Sequence, residues 1–203
     1  DRLTEMAQEM ATAACGSVTP VKPAKRTSPA IDADRLTVYP IGDAHVGLYA
    51  WNEDAEEDWN CDLVEQVMLD SFGEVLSGSS DTEQCLLINL GDWFHTDTPE
   101  NQTRRSGHAL DVDTRWSRVV QVGVRLMRSL IDACLTKHEQ VRVINEIGNH
   151  DDQSAVMLSA VLAAVYENEP RVEIDQSPDV FHWHEFGQNL IGVHHGHKCK
   201  PDQ

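Results

Sequence analysis

Four short apolar runs divide the chain, and each predicts a buried strand. They cover residues 38–41, 86–90, 141–147 and 190–193. Each run is rich in β-branched or aliphatic residues and is bounded by turn-forming residues, which favours a strand over a helix. Just before the last of them, a glycine-bearing turn at 187–189 separates it from another extended segment that begins at residue 180. Residues 180–194 therefore predict a β-hairpin.

Between these runs, apolar side chains recur every three or four residues. This spacing predicts amphipathic helices whose apolar sides pack on a sheet, over 61–76, within 113–138 and over about 153–167. Helices that alternate with strands, followed by a hairpin, predict an α/β fold of two sheets flanked by helices. Residues 1–33 contain a short helical stretch and a Pro-rich linker. We assign 34–203 to one domain.

A polar cluster follows each apolar run. The four clusters are Asp43-Ala44-His45, Gly91-Asp92, Gly148-Asn149-His150-Asp151 and His194-His195-Gly196-His197. Turn chemistry alone explains Gly and Asp, but it does not ask for His in three of the four clusters. Because ligand sites assemble at the carboxyl ends of strands in α/β sheets, we expect these clusters to converge.

The residue types in these clusters are metal ligands. Carboxylate, imidazole and amide oxygen form a hard-to-borderline donor set, which suits Mn²⁺, Fe, Zn²⁺ or Ni²⁺ better than a thiolate-seeking metal. Asp92 is the best candidate for a bridging ligand, since a carboxylate has two oxygens to share. The five cysteines lie outside the clusters, without metal-ligand or disulfide spacing, which is typical of a reducing compartment.

The order of the clusters resembles the calcineurin-like metallophosphoesterase superfamily. The stretches Gly91-Asp92-Trp93-Phe94-His95 and His194-His195-Gly196-His197-Lys198 are similar to its bacteriophage-type members. The resemblance covers about residues 36–203 and implies a two-sheet sandwich. The family pattern ends with a Gly-His-x-His element, which this sequence lacks. We therefore expect a fragment that is incomplete at its C-terminus.

The resemblance implies a dinuclear metal centre, with Mn²⁺ favoured and Fe, Zn²⁺ or Ni²⁺ as alternatives. It assigns Asp43 and His45 to one ion, Asn149 and His195 to the other, and Asp92 to both. His150 is then the catalytic general acid. Many phosphatases of the family have Asp three residues after the Gly-Asp aspartate, where this chain has His95. Asp97 is the candidate carboxylate that would orient His150 instead.

These features predict a metal-dependent phosphoester hydrolase. The resemblance favours phosphodiesters, with nucleic acid or nucleotides as candidate substrates. A phosphomonoesterase and a non-catalytic binding scaffold of the same fold are the alternatives. A formal net charge of −18 opposes a broad electrostatic grip on DNA. Without an apolar run of membrane-spanning length or a signal peptide in the sequence given, we expect a cytoplasmic protein, in the host cytoplasm if phage-encoded. The oligomeric state stays open.

Overall fold

The computed structural model describes residues 31–103 and 106–198. The predicted helical stretch and most of the Pro-rich linker within 1–33 lie outside these residues. Within them, four strands form a parallel sheet in the order β1-β2-β3-β4. The strands are β1 (Asp32–Ile41), β2 (Thr82–Asn89), β3 (Gln140–Asn145) and β4 (Val172–Ile174).

Helices connect the parallel strands, as crossovers between parallel neighbours require. They are α1 (Cys61–Gly78), α2 (Trp116–Lys137) and α3 (Ser154–Val165). The Asn60 side chain caps α1 by accepting from the backbone N–H groups of Asp62 and Leu63. The three predicted helices and the α/β class are confirmed.

Alternate residues of β2 face opposite sides of the main sheet, as the period of a strand demands. Cys85 and Leu87 belong to the large core under the helices. Leu86 and Ile88 form a second, smaller cluster with Ile144. A strand buried on both faces explains why 86–90 is continuously apolar.

The hairpin covers the second face of the main sheet. It pairs β5 (His182–Phe186) with β6 (Asn189–Val193) in antiparallel fashion. Val193 of β6 is buried in the smaller cluster. Gly187 in the turn has a φ of 59°, which glycine adopts without steric cost. The hairpin predicted over 180–194 is confirmed, and it forms a sheet of its own.

Two strands differ clearly from the predictions. β1 begins at Asp32, well before its apolar run, because Asp32 pairs with Thr82 beyond an irregularity in the register. β4 was not predicted, since its three residues are too short to show a hydrophobic period. Among the described residues, no helix has the length and apolar character that a membrane span requires.

Candidate metal centre

The loops after β1 and β2 continue side by side beyond the sheet. His45 donates its backbone N–H to the carbonyl oxygen of Asp92 (2.9 Å), and His95 donates to that of Val46 (3.0 Å). Asp43, His45 and Asp92 have φ angles of 52°, 44° and 54°. Positive φ is uncommon for residues other than glycine and often marks a functional constraint. The backbone thus turns sharply at three of the predicted ligands.

A cluster of two carboxylates and one imidazole lies where these loops meet the end of β6. Asp43, Asp92 and His195 each place one potential ligand atom within 4.8 Å of those of the other two. His195 Nε2 lies 3.4 Å from Asp92 Oδ2 and 3.0 Å from Asn149 Oδ1. The structure therefore brings four of the five predicted ligands together.

The other ring nitrogen of His195 is held by the backbone. Nδ1 lies 2.9 Å from the carbonyl oxygen of Leu90, which can only accept, so Nδ1 is the donor of this hydrogen bond. Nε2 faces the oxygens of Asp92 and Asn149, where a cation between them would accept its lone pair. A histidine that donates one N–H to a carbonyl and offers its other nitrogen is the usual arrangement of a metal ligand.

The fifth predicted ligand, His45, lies in a second group that consists of histidines. His45, His95 and His150 place one ring nitrogen each within 4.8 Å of one another. The Nδ1 atoms of His45 and His95 are 3.3 Å apart. The rings of His95 and His150 are stacked, with their centroids 5.5 Å apart. The sequence marked His95 only as a departure from a family pattern, although the structure places it between two predicted site residues.

Burial favours the uncharged form of His45 and His95. It lowers the pKa of His95 to about 4, helped by the neighbouring His45 and His150. It also lowers the pKa of His45, although Asp92 acts in the opposite direction. Neutral imidazole is the form that binds a cation. His95 Nε2 is buried and has no hydrogen-bond partner among the described residues.

A carbonyl oxygen, and not a carboxylate, orients His150. Its Nδ1 lies 2.8 Å from the carbonyl oxygen of His95. The candidate partner Asp97 serves elsewhere, because its carboxylate accepts from the backbone N–H groups of Gln153 (2.7 Å) and Ser154 (3.0 Å). The prediction for Asp97 was wrong. The carboxylate instead caps the N-terminus of α3, where four N–H groups lack partners within the helix.

Asp151 is a buried carboxylate that connects several backbone segments, a role that was not predicted from the sequence. Its Oδ1 accepts from the backbone N–H groups of Gly148 (2.9 Å) and Asp92 (3.2 Å), and its Oδ2 accepts from that of Phe94 (3.2 Å). Burial raises the pKa of Asp151 to about 7, while the backbone donors act in the opposite direction. This carboxylate ties the loops after β2 and β3 together. Its position beside Asn149 and His150 was visible in the sequence, but its burial was not.

Two glycines allow the loops to approach this closely. A Cβ atom at Gly148 would overlap Oδ1 and N of Asp92. Gly91 has a φ of 103°, and a Cβ atom there would lie 2.7 Å from His195 Nδ1. Side chains at these positions would push the carboxylate and imidazole groups apart.

The donor set fits a divalent cation. Two carboxylates, an amide oxygen and neutral imidazoles are suitable ligands for Mn²⁺, Fe or Zn²⁺. Asp92 is 3 % exposed, whereas Asp43 and Asn149 are exposed. The cluster of ligands around Asp92 is therefore open to solvent on one side. Comparisons with protein-family models, curated proteins and solved structures give no match.

Proposed function

We propose that this chain is a metal-dependent phosphoester hydrolase, with phosphodiesters as its favoured substrates. The observation that carries the proposal is the convergence of Asp43, Asp92 and His195 at one end of the sheet, beside three histidines. The resemblance to calcineurin-like metallophosphoesterases supplies the reaction class, the two-sheet sandwich and the preference for diesters.

The described side chains suit a pair of cations. Asp43, His45 and Asp92 would hold one ion, and Asp92, Asn149 and His195 the other. When bound, two divalent cations supply positive charge for the phosphoryl oxygens and lower the pKa of a nucleophilic water. Asn149 is neutral, so it contributes an oxygen ligand without cancelling the positive charge that attracts a phosphate.

His150 is the proposed proton donor. Its Nδ1 is held by the carbonyl oxygen of His95 at 2.8 Å, which fixes the ring and leaves Nε2 for the leaving-group oxygen of the ester. Protonation of a leaving group by a positioned side chain contributes roughly 10²- to 10⁴-fold to a rate. The side chain of His95 packs against this ring and shields one of its faces from water.

The charge of the chain restricts how a substrate would be held. With a formal net charge of −18, the protein repels extended polyanions except where bound cations reverse the local potential. We therefore infer that a nucleic acid or nucleotide substrate would be bound mainly at the phosphate group that is hydrolysed. Affinity for long DNA should be weak and salt-dependent.

The test compares hydrolysis of bis-p-nitrophenyl phosphate and p-nitrophenyl phosphate by the purified chain with excess Mn²⁺. We expect the diester to be cleaved faster, and chelation or Asp92→Asn to abolish cleavage of both esters. Faster cleavage of the monoester would indicate a phosphomonoesterase. Tight Mn²⁺ binding without cleavage of either ester would indicate a binding scaffold, and absence of Mn²⁺, Zn²⁺, Fe²⁺ and Ni²⁺ binding would overturn the proposal.

A further inference from the structure

A second polar cluster is buried where the hairpin meets the end of β3. Its members are Glu146, Asp175 and His182, none of which belongs to the candidate metal centre. Glu146 is 0 % exposed and His182 is 4 % exposed. Buried ionisable side chains of this kind are rare unless they are paired.

His182 lies between the two carboxylates. Its Nε2 is 3.7 Å from Glu146 Oε2, and its Nδ1 is 3.6 Å from Asp175 Oδ1. Among the described residues, neither ring nitrogen has a hydrogen bond. The imidazole therefore presents both polar atoms to carboxylates from two different segments.

The two carboxylates are themselves fixed to the main sheet. Glu146 follows β3 directly, and its Oε1 accepts from the backbone N–H of Ile147 (2.9 Å). Asp175 follows β4, and its Oδ2 accepts from Arg142 of β3 (3.1 Å). His182 is the first residue of β5. The cluster thus joins the hairpin to the main sheet through the buried Glu146 and His182 and the largely buried Asp175.

The register of the hairpin connects this cluster to the candidate metal centre. His182 pairs with Val193, two residues before His195. Val193 is buried against the main sheet, and His195 then reaches Asp92 Oδ2 at 3.4 Å. The cluster therefore anchors the hairpin at the end from which His195 projects.

We propose that His182 is a positioning residue, which locks the hairpin onto the sheet and thereby holds His195 in place to bind metal. The part of this inference that concerns metal binding rests on the proposed function. The part that concerns the position of His195 does not. Imidazole suits this place because its two nitrogens point in different directions from one rigid ring, so it can face two carboxylates at once. A side chain with one polar end could face only one of them.

The experiment compares His182→Phe with His184→Phe. Both residues lie on β5 and share a strand face, but His184 pairs with Ile191, farther from His195. Mn²⁺ is titrated calorimetrically into each variant without substrate. We expect His182→Phe to weaken one of two Mn²⁺ sites by roughly 10-fold or more, in the range of losses of partners that orient ligands, and His184→Phe to leave both unchanged. His182→Gln, which retains one polar contact, should give an intermediate loss.

A double variant tests whether His182 acts through His195. If it does, His182→Phe should add less than about 2-fold to the loss of affinity in His195→Ala, because coupled residues are not additive. A further 10-fold loss in the double variant would overturn the proposal. An equal loss at both Mn²⁺ sites with a collapse of the thermal midpoint would overturn it as well, since His182 would then support the whole fold.

Amide hydrogen exchange of the metal-free protein separates this proposal from the proposed function. We expect faster exchange at residues 191–195 in His182→Phe than in the parent or in His184→Phe. If the parent binds no Mn²⁺, the proposed function fails, and the exchange pattern still decides whether His182 holds His195. Unchanged exchange at 191–195 in His182→Phe would overturn the positioning role.

Discussion

Asp92 and Asp151 hold each other's loops in place. The backbone N–H of Asp92 donates to the carboxylate of Asp151 (3.2 Å), and the carboxylate of Asp92 accepts from the N–H of His150, the neighbour of Asp151 (2.8 Å). The two residues are 59 positions apart in the chain. This reciprocal pair fixes a proposed bridging ligand without using its second oxygen, Oδ2, which stays directed toward His195.

Asp151→Asn tests the reciprocal pair. The amide nitrogen of Asn would face a backbone N–H, so one buried donor loses its acceptor. We expect the free energy of unfolding to fall by about 1–3 kcal/mol and Mn²⁺ affinity to fall by roughly 10-fold or more. Urea denaturation and Mn²⁺ titration measure the two effects. Asp152→Asn is the matched control, because Asp152 pairs with Lys198. Equal effects of the two substitutions would contradict the role given to Asp151.

Gly148→Ala should damage the site through sterics alone. The added methyl group would overlap the backbone and carboxylate of Asp92, so the two loops must separate. We expect a loss of about 1–3 kcal/mol of stability, the usual cost of overpacking, together with loss of Mn²⁺ binding. Gly73→Ala provides the comparison, since nothing lies within 4 Å of a Cβ atom there. In that exposed helical position, alanine should add about 0.5–1 kcal/mol. Normal Mn²⁺ binding by Gly148→Ala would rule out the close approach.

His150→Ala and Asp97→Ala should separate catalysis from stability. If His150 is the proton donor, its loss should lower kcat by roughly 10² or more and leave metal content intact. Asp97 caps α3 and does not contact His150, so Asp97→Ala should cost about 0.5–2 kcal/mol of stability with kcat nearly unchanged. Metal analysis, steady-state kinetics and denaturation decide between them. Loss of metal from His150→Ala would make His150 a ligand instead.

Glu146 should make the stability of the metal-free protein depend on pH. Burial raises its pKa from 4.5 to about 7, so the folded state binds the proton more tightly than the unfolded state. This contribution is complete below pH 4.5 and is lost as pH rises through about 7. The ionisable groups around it are Asp151, His182, His195 and Lys198.

The measurement is urea denaturation of the parent and Glu146→Gln between pH 4.5 and 7.5, a range that spans the pKa values of Glu146 in the two states. We expect the unfolding free energy of the parent to decline across this range relative to that of the variant. The difference isolates Glu146, since the remaining groups are common to both proteins. Parallel pH profiles would show that Glu146 does not carry the effect.

Local sequence patterns predicted the three helices and most of the strands. The run at 86–90 has the composition of a strand buried on both faces, and the structure places it in the middle of the sheet. The expectation that polar residues after β1 and β2 meet at one edge depended only on parallel topology, and Asp43 and Asp92 do lie together there. His195 joins them from the antiparallel hairpin, whose packing on the sheet the sequence pattern did not specify.

The roles of single side chains depended on contacts between distant segments. Asp97 and Asp151 are both carboxylates close in sequence to site residues, yet one caps a helix and the other is buried beneath the loops. The ring of His95 packs against those of His45 and His150, which are distant from it in sequence. The sequence contains the identities of these residues but not their burial, so such assignments needed the structure.

The position of His195 at the end of the hairpin bears on when the site can form during folding. His195 contacts the carbonyl oxygen of Leu90 across 105 positions of chain. Contacts across such long loops form slowly, because the entropy of closing the loop is lost before the contact is gained. On a ribosome, Asp43 and Asp92 would be synthesised before the hairpin. The group formed by Asp43, Asp92 and His195 can therefore assemble only after residues 182–195 have emerged.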